Sequence, residues 1–204
     1  MLNRDFPVLF GRASSARAIH DGIVADLATL TAASKLPGGA PTDARISALA
    51  RAGAVGNPGG GYCVLTQPSS SLTLSVALMG CGLVSVDWGD GTAIQSIALK
   101  PTNATTVSRT WGVGANLTVM VAGNITDFNA TTGSEGGLLH GLSTLTGSMY
   151  CSGDSLTFSD VLTAACWPNL TNTVYFVGDL MTIGGTLTSS FWPNLTNTVY
   201  FVGD

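Results

Sequence analysis

The last quarter of this chain is written twice. Residues 155–179 and 180–204 align without a gap, and WPNLTNTVYFVGD at Trp167–Asp179 recurs unchanged at Trp192–Asp204. An older copy precedes them: LTGSMYCSGD at 145–154 keeps Leu145, Thr146, Tyr150, Gly153 and Asp154 of LTNTVYFVGD. A unit of 25 residues cannot bury its own apolar face. Stacking closes the core, and at least about three neighbouring units are needed for it. Units at 130–154, 155–179 and 180–204 are therefore expected to stack as coils of one array.

Stacking turns each repeated residue into a ladder with a spacing of about 4.8 Å. Asp154, Asp179 and Asp204 form one, Tyr150, Tyr175 and Tyr200 a second, Trp167 and Trp192 a third. Aspartates in a row repel unless a turn N–H or a cation satisfies them; turn capping is the simpler expectation. Within TVYFV, alternation puts Val174 and Phe176 on one face and Tyr175 and Val177 on the other. One face lines the core. The other is a surface for a glycan or a protein receptor, and alternation alone leaves open which is which. The period lies in the range of leucine-rich repeats, with one strand and a return segment per coil. Because LMTIGGTLTSSF is too rich in Gly and Thr for a firm helix, a β-solenoid and a leucine-rich horseshoe both stay open. Solenoids need a polar cap; none follows Asp204, so the array is expected to continue beyond it or to be covered by a partner.

Upstream the character changes. Residues 1–13 read as an extended leader. Over 14–36, Ile19, Ile23, Leu27 and Leu30 make one apolar stripe at helical spacing, followed by Pro37. A second helix is expected over 43–52, with Thr42 as N-cap. Neither is stable alone in water; they need each other, sister chains or a docking partner to pack on, and residues 1–53 are expected to be a helical anchor or docking segment, with residues 54–62 a Gly-rich linker. From 63 to 124 the period is two: Leu72, Leu74, Val76 and Leu78, then Val84, Val86 and Trp88, then Leu117, Val119 and Val121. That pattern predicts a small antiparallel β-sandwich.

Inside that region, SVDWGDGT at Ser85–Thr92 resembles the signature of polycystic-kidney-disease (PKD) domains, an immunoglobulin-like β-sandwich. Asp87 and Asp90 suit side-chain bonds to turn N–H groups, Gly89 and Gly91 permit positive φ, and Trp88 suits a core anchor. The two aspartates are also candidate calcium ligands, with an Asx-type turn as the simpler role. The family usually carries a His-Thr-Tyr element downstream; here Ser108–Trp111 reads SRTW, followed by GVGANLTVMVAG, so Arg109 and Trp111 depart from the pattern. The resemblance implies an extracellular adhesion or spacer module. A PKD-like domain followed by leucine-rich-type or solenoid repeats is similar to bacteriophage fibre-type and bacterial surface proteins.

Composition narrows function further. Charged residues are 10%, against roughly 25% in ordinary soluble domains. The net charge of −4 offers nothing to nucleic acid. Six of eight Lys/Arg lie at or before Arg51; beyond it only Lys100 and Arg109 face eight acids. No stretch is long and apolar enough for a signal peptide or a membrane span, so no membrane insertion is expected. Cys63, Cys81, Cys151 and Cys166 match no zinc spacing; a Cys63–Cys81 bridge is the alternative to buried thiols. Two histidines, His20 and His140, one glutamate, Glu135, and no nucleophile elbow or phosphate loop leave no catalytic constellation and call for no cofactor.

The expected protein is mainly β: short N-terminal helices, a PKD-like sandwich, then a β-solenoid or leucine-rich-like array. The expected role is non-catalytic, a bacteriophage tail-fibre or appendage subunit of the virion. It docks to other virion proteins through its N-terminal segment, oligomerises with sister copies, and presents a repeat shaft to a host-surface glycan or protein. The alternatives are a bacterial cell-surface adhesin and a phage capsid decoration or filament protein.

Overall fold

The computed structural model describes residues 6–32, 36, 40–67, 72–130, 136–138, 141–152, 157–158, 167–177, 182–183 and 192–202. Among them the chain is mainly β, with two helices and one mixed sheet. Asp154, Asp179, Asp204, His140, Glu135 and Cys166 lie outside the described residues, and with them the expected aspartate ladder.

Helix α1 spans Phe6–Ala32, so the expected extended leader is helical from Phe6 onward. Pro7 does not prevent this, because a first-turn proline gives up an N–H that has no helical partner anyway. Helix α2 spans Asp43–Gly53; the Thr42 carbonyl accepts from the Arg45 and Ile46 N–H groups, while its hydroxyl makes no cap. The apolar stripe of α1 is no free docking face. Ile19, Ile23 and Leu30 are fully buried and Leu27 nearly so, packed with Ile46 and Leu49 of α2 against Tyr62, Val64, Met120 and Ala122. Of the covers expected for that stripe, the other helix is the one found, together with the chain's own sheet, so the stripe itself is not available to a docking partner. Nor is 54–62 a free linker. Asn57 is buried and exchanges hydrogen bonds with Gly61, and the Gly59 carbonyl accepts from the Ser143 hydroxyl.

Strands β1 (Tyr62–Gln67) and β5 (Leu117–Ala130) pair antiparallel. Both faces of this pair are covered. Met120 and Ala122 meet the helices, while Val119 and Val121 enter the larger core. Strand β2 (Thr73–Asp87) runs antiparallel to β5, with an irregularity between Gly80 and Val84. Its other edge takes β4 (Thr105–Thr110) along the first half and β3 (Gln95–Leu99) along the second. The period-two residues Leu74, Val76, Leu78, Val84 and Val86 all point inward, as their spacing requires.

The repeats follow as two ladders of parallel strands. The first joins β7 (Met149–Ser152), β9 (Val174–Val177) and β11 (Val199–Val202), with Tyr150, Tyr175 and Tyr200 in register. The second joins β6 (Gly136–Leu138), β8 (Thr157–Phe158) and β10 (Thr182–Ile183). Among the described residues each period thus carries two strands. β5 pairs parallel with β7, and β6 pairs antiparallel with β1, so the β1–β5 pair starts both ladders. Ahead of each first-ladder strand lies the same turn. The N–H of Leu145, Leu170 and Leu195 bonds the carbonyl of Leu142, Trp167 and Trp192 respectively. Pro168 fits the second position of its turn, where φ near −65° is wanted.

Between β7 and β9 the expected step of 25 residues holds, but the step from β5 into β7 is different. Thr171 and Thr196 each donate a hydroxyl to a carbonyl 25 positions back, but Ser148 N–H reaches the Asp127 carboxylate, 21 positions back. The first step of the stack is shorter. Gly147 stands where later units have Asn172 and Asn197, which bond each other. A Cβ on Gly147 would land inside the Asp127 carboxylate, so glycine is what admits the aspartate as the head of the ladder.

One apolar core runs from Trp88 through Phe128, Met149 and Trp167 to Phe176 and Trp192. Phe176 and Phe201 are identical residues one unit apart with stacked rings, yet Phe176 is 1% exposed and Phe201 51%. Phe176→Ala is expected to destabilise the protein by about 3 kcal/mol, and Phe201→Ala by less than about 1. Urea unfolding followed by circular dichroism measures both; equal losses would contradict the burial gradient along the stack.

Candidate functional site

Two groups of predicted residues come together. The first is the Asp87–Gly91 turn that leaves β2. Gly89 (φ 73°) and Gly91 (φ 81°) hold the left-handed conformation expected of them, and a Cβ on Gly89 would strike the Thr118 carbonyl. Asp87 is fully buried and accepts the Gly89 N–H at 3.0 Å. Its other partner is Arg45 of α2, which donates through Nε at 2.7 Å and a terminal nitrogen at 2.5 Å, a two-pronged pair. Arg45 also bonds the Thr92 carbonyl at 2.9 Å. Trp88 is buried, with its indole N–H on Gln95 at 3.0 Å.

Asp90 accepts from the Thr92 N–H (3.1 Å) and hydroxyl (2.6 Å), from the Trp111 indole (3.0 Å), and pairs with Arg109 at 2.6 Å. Burial opposes its charge, but the Thr92, Trp111 and Arg109 contacts outweigh it and hold the carboxyl below the ordinary range. Arg109 lies 5.9 Å from the Trp88 ring centroid, and Trp111 meets Trp88 edge-on at 6.1 Å. The two departures from the PKD pattern are therefore the partners of its second aspartate. Both candidate calcium ligands already face guanidinium groups, and among the described residues no three His, Cys, Asp or Glu side chains gather as a metal site would need.

The second group is the first ladder. Val174 and Phe176 point inward, Tyr175 and Val177 outward. Trp167 and Trp192 are buried and stacked at 5.9 Å. The tyrosines form the outer row, with centroids 5.4 Å apart from Tyr150 to Tyr175 and 4.8 Å from Tyr175 to Tyr200, the last pair tilted only 8°. Tyr175 and Tyr200 thus cover one face of each other, whereas the Tyr150 ring is inclined 45° to Tyr175.

Cys63 and Cys81 are both free thiols, the first buried and the second exposed, so they do not bridge. Burial pushes the Cys63 thiol far up, with the Asp26 charge adding to it, which leaves an inert thiol. Sequence reasoning missed Arg45: one arginine on a short helix, 42 positions from Asp87, carries no local signal. It also missed His20, whose Nε2 lies 2.9 Å from Asp43 and Nδ1 3.1 Å from Asp21, tying α1 to α2. No protein-family model, curated protein or solved structure matches this chain, so function is argued from its own geometry.

Arg45→Ala leaves the Asp87 charge buried without a partner and is expected to cost about 3–5 kcal/mol. Adding Asp87→Asn to it should recover part of that loss. Denaturant midpoints of the two variants check this; a single variant as stable as the parent would make the pair dispensable. The His20 contacts with Asp21 and then Asp43 raise its pKa. Their stabilisation is full below the unfolded value of about 6.5 and is lost as pH rises through the raised folded value. For so exposed a cluster the loss is below about 1 kcal/mol. Denaturant titrations at about pH 6 and pH 8.5 should show it in the parent and not in His20→Ala.

Proposed function

We propose that this chain is a non-catalytic structural protein of a bacteriophage virion, a tail-fibre or appendage subunit with its helical end as base and its repeats as shaft. The observation that carries this reading is the pair of parallel ladders, repeating every 25 residues from a fixed start on β1 and β5. Growth in one direction from a covered base makes a rod, and a rod of hydroxyl-, amide- and tyrosine-bearing coils suits display at a host surface. Two strands per period fit a β-solenoid better than a horseshoe with one. Residues 63–124 fit a PKD-like sandwich acting as spacer and cap. The tyrosine row is the attachment face. Docking to the particle falls to surfaces of the base other than the Ile19–Leu30 stripe, and sister copies complete the appendage.

Antibodies raised against the chain should label particles released by lysis of producing cells, seen by immunogold electron microscopy, and not the envelope of intact producers. Label on the envelope with bare particles would reverse the reading in favour of a cell-surface adhesin. Labelling spread over the capsid shell would make the chain a decoration protein.

A further inference from the structure

Strand β11 is the outer strand of the first ladder: β9 lies along one edge, and among the described residues no strand lies along the other. What such an edge takes is visible one unit earlier. β9 carries the same residues, VYFV, and its corresponding edge is filled by β11 in register. There the Val174 N–H donates to the Thr198 carbonyl, as the Met149 N–H does to the Thr173 carbonyl. Alternation along the strand sends the N–H and carbonyl groups of Val174 and Phe176 to that edge, and those of Val199 and Phe201 to the open one. Under its cover Phe176 is buried, whereas Tyr200, Phe201 and Val202 are 42%, 51% and 52% exposed. Val199–Val202 carries no charge and no proline, the usual devices that keep a strand edge from pairing. The surface complementary to this edge is therefore another VYFV strand.

A second copy of the chain supplies one, and symmetry fixes how. The β9 side of its β11 is already taken, so the two open edges meet each other. Like edges meet about a two-fold axis, which makes the strands antiparallel. Residues directly opposite then share a face. An axis at Tyr200 sets the inward Phe201 of each copy opposite the inward Val199 of the other, where both exchange N–H and carbonyl groups. It also sets the two Tyr200 rings opposite each other on the outer face. An axis at Phe201 would instead crowd the two phenylalanines together and leave Val199 without an apolar partner. We propose that two copies of this chain pair through β11, antiparallel about a two-fold axis at Tyr200. This specifies how sister copies meet, and it stands whether or not the chain belongs to a virion.

Sedimentation velocity of the 204-residue chain tests it. The contact is small, so association is weak, and the species should shift from one chain to two between about 1 μM and about 1 mM. Phe201→Lys should stay monomeric over the same range with the parent's circular dichroism. Val113→Lys, which puts the same charge on an 80% exposed valine between β4 and β5, should dimerise like the parent. If Phe201→Lys does not fold, Val202→Lys on the same edge takes its place. Isotope-filtered Overhauser spectra of a mixed labelled and unlabelled sample should show the Phe201 ring of one copy against the Val199 methyls of the other. The proposal fails if the parent stays monomeric, if it grows beyond a dimer, if the folded edge variant dimerises as the parent does, or if the filtered contacts lie elsewhere. Immunogold labelling tests the virion reading separately, so either can fail alone.

Discussion

Everything in this molecule hangs on the two kinds of hydrogen bonding made by β5. Over most of its length it is an antiparallel partner of β1 and β2; over Phe128–Ala130 it is also the parallel partner of β7. Parallel pairing is slightly weaker per residue and cannot be set by a hairpin. A stack of short parallel strands therefore needs a start that is already fixed. β5 provides it, because it is covered on both faces and hydrogen-bonded along both edges before the first repeat begins. β1 does the same for the second ladder through β6. The fit is specific: Asp127 meets the Ser148 N–H in the place that Gly147 leaves open.

The base is held by charge as well as by packing. Arg45 joins α2 to the turn that leaves β2, and Asp87 is buried at that joint. Such a pair adds little net stability over an apolar substitute, yet breaking it by removing one member is costly. Its value is in alignment: α2 has one azimuth at which the guanidinium reaches both carboxylate oxygens. The helices close one face of β1 and β5, so that azimuth also decides whether Met120 and Ala122 are covered.

Local pattern was legible wherever it fixed which face is buried. Period 3.6 in 19–30 and period two in 74–78 picked out buried residues, but Leu72 is exposed, and Ser85, Asp87, Thr118 and Met120, between the apolar positions, are buried as well. What failed were inferences about what a segment touches. The stripe on α1 announced that it must be covered but not that the cover is the chain's own sheet. Glycine-rich 54–62 reads as a linker because glycine lacks a side chain; that same lack lets the segment lie tight against Ser143 and Thr144. Arg109 and Trp111 looked like losses from a motif until Asp90 was seen to use both. The step of 21 was hidden because the first unit shares few letters with the rest, and only hydrogen bonds reveal its register.

The same distinction bears on the tyrosine row. Identical residues in register on successive strands can stack, as Tyr175 and Tyr200 do, while Tyr150, equally in register, is inclined 45° to Tyr175. Beyond Arg109 the sequence holds no Lys or Arg, the residues that usually blunt exposed strand edges. An array so free of cationic protection holds together by the match between neighbouring coils, each stabilised by the one before it. Phe176, with the Phe201 ring stacked on it, is buried, whereas Phe201 is half exposed.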